Sequence, residues 1–316
     1  MRPKVYIDGQ AGTTALRIRE WLAGRSDIEL VTLPDALRKD DSARREAISN
    51  ADLAILCLPD DAARVAARWA QEAGTRVLDA STAHRVAEGW VYGMPELTKD
   101  ARERIRRADR VANPGCYPTG FVLLVAPLVR AGLLDAKAPL TCHALSGYTG
   151  GGRAKIERWE APERALLSLP FEAPYSTERV HKHVPEMVTY AGLAHEPYFV
   201  PAVGPFRTGM RVQIPLHAEL LRGVTARQIG EALQAAYTGE RFVRVFAAPE
   251  PVELDERSLD PRACNDTNRI ALHVLPHPSG HVLLVAILDN LGKGASGAAI
   301  QNMNLMLGFP EDLGLV

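Results

Sequence analysis

The chain has 316 residues, 47% of them hydrophobic and 24% charged, enough to bury a sizeable core and to divide into two domains. Its formal net charge of -1 gives no electrostatic reason to expect nucleic acid or an anionic membrane as partner, and no stretch reaches the roughly 18 consecutive apolar residues a membrane span needs. The four cysteines, Cys57, Cys116, Cys142 and Cys264, stand far apart without a Cys-x-x-Cys pair, which argues against a zinc ribbon or redox dithiol and fits a reducing cytoplasm.

Met1-Arg2-Pro3-Lys4 runs straight into a strand pattern, without an apolar leader or cleavage site. Val5–Asp8 predicts a strand, 9–14 a turn that includes Thr13 and Thr14, and Ala15–Ala23 a helix with Leu16, the Arg19 stem and Leu22 at helical spacing. A pyrophosphate can lie against such a helix start only if the turn lacks bulk, which Gly9 and Gly12 satisfy. The spacing is Gly-x-x-Gly-x-x-Ala, so taken alone it also describes an ordinary tight turn. Further strands are predicted at 28–33, 53–58, 76–80 and 110–112, with helices at 42–48 and 62–73 between them. The alternation implies an α/β class: a doubly wound, Rossmann-like parallel sheet whose ligands gather at the carboxyl ends of the strands, where Gly9, Pro59, Ser81 and Cys116 are expected. After the second strand, Asp35 suits a ribose hydroxyl, as in NAD sites, while Arg38 and Lys39 suit the 2′-phosphate of NADP; the residues alone leave both open.

Asn113-Pro114-Gly115-Cys116-Tyr117-Pro118-Thr119-Gly120 leads into the apolar run 121–128. Gly115 permits a turn and Pro118 suits a first helical turn, so Cys116 is delivered to a helix start. There the unpaired N–H groups and the dipole favour a thiolate, so the thiol is expected to titrate below its free value of about 8.5 and to act as a nucleophile. The competing reading is a small buried hydrophobe ahead of a core helix. A cysteine nucleophile needs a proton-accepting partner. The densest of the histidines are His181 and His183 in His-Lys-His-Val-Pro-Glu, two apart and therefore on one side if the segment is extended. A His-x-His pair also suits a metal, but no further ligand cluster of suitable spacing accompanies it, and no metal is expected. His217, His273, His277 and His281 lie in or beside strands and read as structural, and His84 as incidental.

A strand over 140–145 leads into Ser-Gly-Tyr-Thr-Gly-Gly-Gly-Arg, read as a mobile loop that closes over ligands. Residues 156–180 read as an irregular connection. Strands follow at 198–203, 210–216, 243–247, 270–275 and 282–288, with one helix at 225–237, which implies an α+β domain with a mixed or antiparallel sheet. Arg207 enters it near a strand start, where it can meet a substrate carboxylate. The tail from Asp289 is a glycine-rich turn feeding a helix.

The seven-residue stretch Asn-Pro-Gly-Cys-Tyr-Pro-Thr resembles the nucleophile loop of the N-acetyl-gamma-glutamyl-phosphate reductase family, in its shorter, type 2 branch, related to the aspartate-semialdehyde dehydrogenases. The resemblance extends over nearly the whole chain and implies an NADP(H)-dependent enzyme of arginine biosynthesis. It implies reduction of an acyl phosphate, N-acetyl-gamma-glutamyl phosphate, through a thioester on Cys116. In Asp-Ala-Ser-Thr-Ala-His-Arg it gives Ser81 to the cofactor and Arg85 to the acyl phosphate. It sets His183 opposite the cysteine as acid/base, with Glu186 as orienter and His181 as rival. It makes Ser146 and Gly147 substrate contacts, joined by Asn113 beside the reacting oxygen, and gives Asn290 the nicotinamide carboxamide. It favours Arg38 for the 2′-phosphate, and implies a homodimer or homotetramer. The closing helix returns to the nucleotide domain, so the expected division is 1–115 with 292–316 for NADP and 116–291 for catalysis and oligomerisation. Two other readings stay open: a reductase of an aspartyl or aminoadipyl phosphate, and a nucleotide-sensing protein that kept the fold without the chemistry.

Overall fold

The computed structural model describes residues 2–316. The chain divides into two compact units, Met1–Gly115 with Ala295–Val316, and Cys116–Gly294.

The first unit begins with β1 (Lys4–Asp8), α1 (Thr13–Leu22), β2 (Glu29–Val31), α2 (Asp41–Ser49), β3 (Leu53–Leu56), α3 (Asp60–Ala73), β4 (Arg76–Asp79), β5 (Val91–Tyr92), α4 (Ala101–Arg107) and β6 (Arg110–Ala112). The strands form one parallel sheet in the order β2-β1-β3-β4-β6-β5. Every residue of β3 is buried, as parallel strands covered on both faces require. Ala63, Ala66, Ala67 and Ala70 form the buried stripe of α3, which stops at Gly74 in the left-handed conformation. The chain leaves β1 in one direction and β3 in the other, so the sheet has its topological switch point between these two strands. There Gly9 takes φ 81°, and a Cβ on it would lie 2.2 Å from the Cys57 carbonyl oxygen, so only glycine fits. α1 starts at Thr13, earlier than expected, because Gly12 stands extended at the cap and frees both threonines for the first turn. β5 was too short to show a period.

The second unit comprises α5 (Cys116–Arg130), β7 (Thr141–Gly147), α6 (Gly152–Glu160), β8 (Ala173–Pro174), α7 (Val184–Ala191), β9 (Tyr198–Gly204), β10 (Met210–Leu216), α8 (Ala218–Leu221), α9 (Ala226–Ala236), β11 (Val243–Ala247), β12 (Ile270–Pro276) and β13 (Val282–Leu288). Its mixed sheet runs β11-β12-β13-β10-β7-β9-β8, with β7/β9 and β11/β12 parallel and the remaining neighbours antiparallel. α5 is buried from Tyr117 to Leu128. It approaches the sheet closely at Gly120, where a Cβ would lie 3.0 Å from Val212 and 3.1 Å from Ala286. α9 opens with a reciprocal cap between Thr225 and Gln228.

Two expectations change here. The glycine-rich stretch after β7 is not a loose loop: Tyr148–Gly151 is a 3₁₀ turn with Tyr148 and Thr149 buried. The Tyr148 N–H donates to Phe206 O at 3.0 Å and the Thr149 hydroxyl to Arg207 O at 2.6 Å, so backbone hydrogen bonds hold what composition alone would leave mobile. The connection expected to be irregular contains the rest of α6, two 3₁₀ turns and β8.

A π-helical turn, Gly292–Ser296, precedes α10 (Gly297–Leu307), which belongs to the first unit. The chain re-enters that unit at Ala295, later than the expected Gly292. Gly292 packs against Thr267 and Asp289, and Gly294 against Cys116, all within the second unit. Buried polar side chains fix α10 in the first unit: Asn302 Nδ2 donates to Gly93 O at 2.8 Å and to Asn113 Oδ1 at 3.1 Å, and Gln301 donates to Glu96 at 2.8 Å.

Candidate active site

In the first unit a cavity of about 400 Å³ opens at the switch point, lined among others by Gly9, Gln10, Arg38, Lys39, Arg44 and Pro59. Gln10 ties the loop after β2 into place, donating to Leu33 O at 2.8 Å and accepting from Leu33 N at 3.2 Å. Of the three cations, Arg44 is committed: it bonds the buried Asp8 carboxylate at 3.0 Å and Asp41 at 2.7 Å. Arg38 has only Asp35 at 3.8 Å, and Asp35 is almost fully exposed. The cavity wall therefore carries net positive charge at Arg38 and Lys39, beside a helix start with no acidic residue and no side-chain cap at Gly12.

The 79–85 segment of the same unit is tightly bonded. Asp79 is fully buried and accepts from the Ser81 N–H at 2.9 Å and the Ser81 hydroxyl at 2.8 Å, and lies 2.6 Å from His84 Nδ1. His84 also stacks on Trp90 at 4.0 Å, so it is a structural member of this turn and not incidental. Arg85, buried, donates to Ala80 O at 3.2 Å. Asn113 is buried between Asn302 and Ala295, donating to Ala295 O at 3.0 Å.

In the second unit Cys116 is the first residue of α5 and is partly exposed while the following dozen residues are buried. Gly294 makes room for it: a Cβ there would lie 2.8 Å from Cys116 Cβ. Beside the cysteine, Tyr117 joins a cluster with Tyr175, His181, His183 and Phe199. Tyr117 and Tyr175 share a hydroxyl hydrogen bond of 3.1 Å, Tyr175 Oη lies 3.4 Å from His181 Nε2, and the His183 N–H donates to His181 Nδ1 at 3.2 Å. The His181 and His183 rings are 4.9 Å apart, and the Tyr117 ring is 5.8 Å from each. Because Nδ1 of His181 accepts, the neutral ring carries its proton on Nε2 and directs it at Tyr175. Burial, reinforced by Lys182, Arg179 and Lys155, pushes His181 down to about 4, so it is neutral at pH 7. Burial also raises both phenols, Tyr175 to about 12 and Tyr117 well above its ordinary value, so both stay protonated.

The histidine segment is not the extended run its spacing implied. His183 has helical φ/ψ and caps α7, whose second residue is Pro185, and the turn folds His181 back over His183. Glu186, buried, lies in the first turn of α7, where the dipole favours a carboxylate. Ser146 is buried near the end of β7, its hydroxyl donating to Gly147 O at 2.9 Å. Gly147 admits no side chain, since a Cβ would lie 2.4 Å from Arg207 O. The Asn290 amide accepts from Gly209 N at 2.8 Å and donates to Thr149 at 3.1 Å. Arg207 is exposed and paired with Glu160, which also accepts from Tyr148. Tyr175, which bonds both Tyr117 and His181, was missed, because a lone tyrosine in an aperiodic stretch carries no spacing signal. Among the described residues, no group of three or more His, Cys, Asp or Glu side chains is placed to hold a metal ion.

Residues 8–106 match the family described as semialdehyde dehydrogenase, NAD binding domain, and residues 116–290 its dimerisation domain. The chain is 51% identical to N-acetyl-gamma-glutamyl-phosphate reductase 2 of Pseudomonas putida, covering 97% of each chain. It is 48% identical to N-acetyl-gamma-glutamyl-phosphate reductase of Trichormus variabilis, covering 99% of each. Among solved structures it is similar in fold to aspartate semialdehyde dehydrogenase II of Vibrio cholerae, with TM-score 0.70 at 17% identity over 98% of this chain and 99% of that one. Aspartate semialdehyde dehydrogenase with NADP from Candida albicans gives TM-score 0.64 at 14% identity over 97% of this chain and 99% of that one. With a semialdehyde dehydrogenase NAD binding domain and dimerisation domain, and relatives about half identical over nearly their whole length, this chain is an oxidoreductase and belongs to the N-acetyl-gamma-glutamyl-phosphate reductase family of semialdehyde dehydrogenases.

Proposed function

We propose that the chain catalyses the NADPH-dependent reduction of N-acetyl-gamma-glutamyl phosphate to N-acetylglutamate 5-semialdehyde and phosphate, a step of arginine biosynthesis, as a cytoplasmic homodimer or homotetramer. The observation that carries the reading is Cys116 at the start of α5, next in the chain to Tyr117 of the Tyr117, Tyr175, His181 and His183 cluster, in a chain whose relatives are named N-acetyl-gamma-glutamyl-phosphate reductase. The Cys116 thiolate attacks the gamma-acyl carbon and expels phosphate, leaving a thioester and dividing one hard step into two easier ones. NADPH, when bound, supplies the hydride that reduces the thioester carbon. His183 takes the thiol proton and later protonates the tetrahedral oxygen, after which the thiohemiacetal releases the aldehyde and the cysteine is restored, a role worth about 10²–10⁴-fold. The engagement of both ring nitrogens of His181 supports His183 in this role, with Glu186 orienting it and His181 holding the turn. Backbone N–H groups at the start of α5, together with Asn113, stabilise the oxyanion. Arg85 binds the acyl phosphate, and Ser146 and Gly147 line the acyl chain. Gly9, Gly12, Thr13, Thr14, Pro59 and Ser81 hold the dinucleotide. Arg38 receives the 2′-phosphate, supported by its place on the cavity wall without a close carboxylate.

The test runs the reaction backwards: NADP⁺ reduction with N-acetylglutamate 5-semialdehyde requires inorganic phosphate, and aspartate semialdehyde is at least about tenfold poorer in kcat/KM. Preference for aspartate semialdehyde, or turnover without phosphate, overturns the assignment.

A further inference from the structure

Lys155, in the first turn of α6, stands where a lysine is electrostatically misplaced. Its Nζ lies 4.0 Å over the ring of Tyr175, the tyrosine whose hydroxyl bonds Tyr117 and faces His181. The first turn of α6 is the positive end of its dipole and contains no acidic residue. No carboxylate of the described residues forms an ion pair with Lys155, although neighbouring Arg153 pairs with Glu157. The stem runs along Gly151, where a Cβ would lie 2.1 Å from Lys155 Cδ, so a bare glycine is what lets the lysine lie inward on the tyrosine. Burial and the nearby Arg158 push the ammonium below the usual lysine range. A half-buried cation, held on an aromatic ring beside the nucleophile's cluster and opposed by its surroundings, is stabilised when an anion arrives.

We propose that Lys155 is a substrate-binding residue that holds an oxyanion of the substrate, its carboxylate or its phosphate. The inference deepens the assignment above and rests on it, since that substrate carries both groups. The cation is fixed in the second unit through Tyr175, the same tyrosine that anchors His181. Binding the anion therefore couples substrate recognition to the imidazole cluster, because Lys155 is among the charges that hold His181 neutral.

The test compares the parent with Lys155→Met and Lys155→Arg in the reverse reaction, varying semialdehyde and inorganic phosphate separately. Loss of a charge-assisted contact is expected to raise one KM about tenfold or more with a smaller change in kcat, and arginine is expected to recover part of it. A rise confined to the semialdehyde identifies the carboxylate; one confined to phosphate identifies the phosphoryl group. A second readout needs no turnover: the ratio of iodoacetate to iodoacetamide alkylation rates at Cys116, read by peptide mass spectrometry, falls in Lys155→Met because the anionic reagent loses its attraction. Unchanged KM values for both substrates, or an unchanged alkylation ratio, in a folded variant overturn the proposal. A parent inactive with this semialdehyde, but with an alkylation ratio that responds to Lys155, overturns the substrate assignment and leaves an anion site of another specificity.

Discussion

At the scale of single residues, the chemistry was easier to read than its support. Asn113-Pro114-Gly115-Cys116 specifies a turn into a helix start through its glycine and proline pattern, and Cys116 does open α5. The partners that hold the imidazoles, Tyr175 above all, come from a segment with no periodicity, and only tertiary contacts identify them. The bonds that orient the Asn290 amide, to Gly209 and Thr149, are likewise invisible in a glycine-rich stretch of sequence. His181 gives a pH prediction with a definite sign. Burial holds it down to about 4 in the folded chain, below the ordinary histidine value of 6.5, so between these values the unfolded chain binds a proton that the folded chain excludes. Stability therefore falls as pH drops through that window and is unaffected by this group above it. Urea midpoints measured at about pH 7 and about pH 5 should show a smaller acid loss in His181→Gln than in the parent; an equal loss would contradict the neutral, buried assignment. Gly9→Ala forces a Cβ into the Cys57 carbonyl at a positive φ, and is expected to cost more than about 1 kcal/mol, seen as a lowered melting temperature and weaker dinucleotide binding.

At the scale of elements, strands β1, β3, β4 and β6 and helices α1 to α3 were legible because the parallel sheet leaves continuous apolar runs separated by helix-period patterns. The errors fell on short or glycine-rich pieces. β5 has two residues, and the Tyr148–Gly151 turn is ordered by bonds to a distant loop that no local rule reveals. The loop after β2 holds Arg38, to which the proposed function gives the 2′-phosphate. Arg38→Ala is expected to weaken NADPH binding by about 1.5–3 kcal/mol, roughly ten- to a hundredfold, while NADH binding changes little. Equal loss for both coenzymes, measured by fluorescence titration, would remove Arg38 from the 2′-phosphate. On α9, Thr225→Ala deletes the reciprocal cap with Gln228 and is expected to cost about 1 kcal/mol in urea unfolding without altering KM.

At the scale of the whole molecule, the sequence implied a discontinuous nucleotide unit and a separate mixed-sheet unit. The two compact units have that composition, with re-entry at Ala295 because Gly292 and Gly294 pack on Asp289 and Cys116. The nucleotide cavity lies wholly in one unit and the nucleophile's cluster in the other. Covalent capture of the acyl group should therefore proceed without reduced coenzyme. The decisive measurement is mass spectrometry of the enzyme mixed with N-acetyl-gamma-glutamyl phosphate in the absence of NADPH. The account predicts an acyl adduct on the Cys116 peptide that disappears when NADPH is added and never forms in Cys116→Ala. An unmodified Cys116 in an enzyme that turns over normally would contradict it.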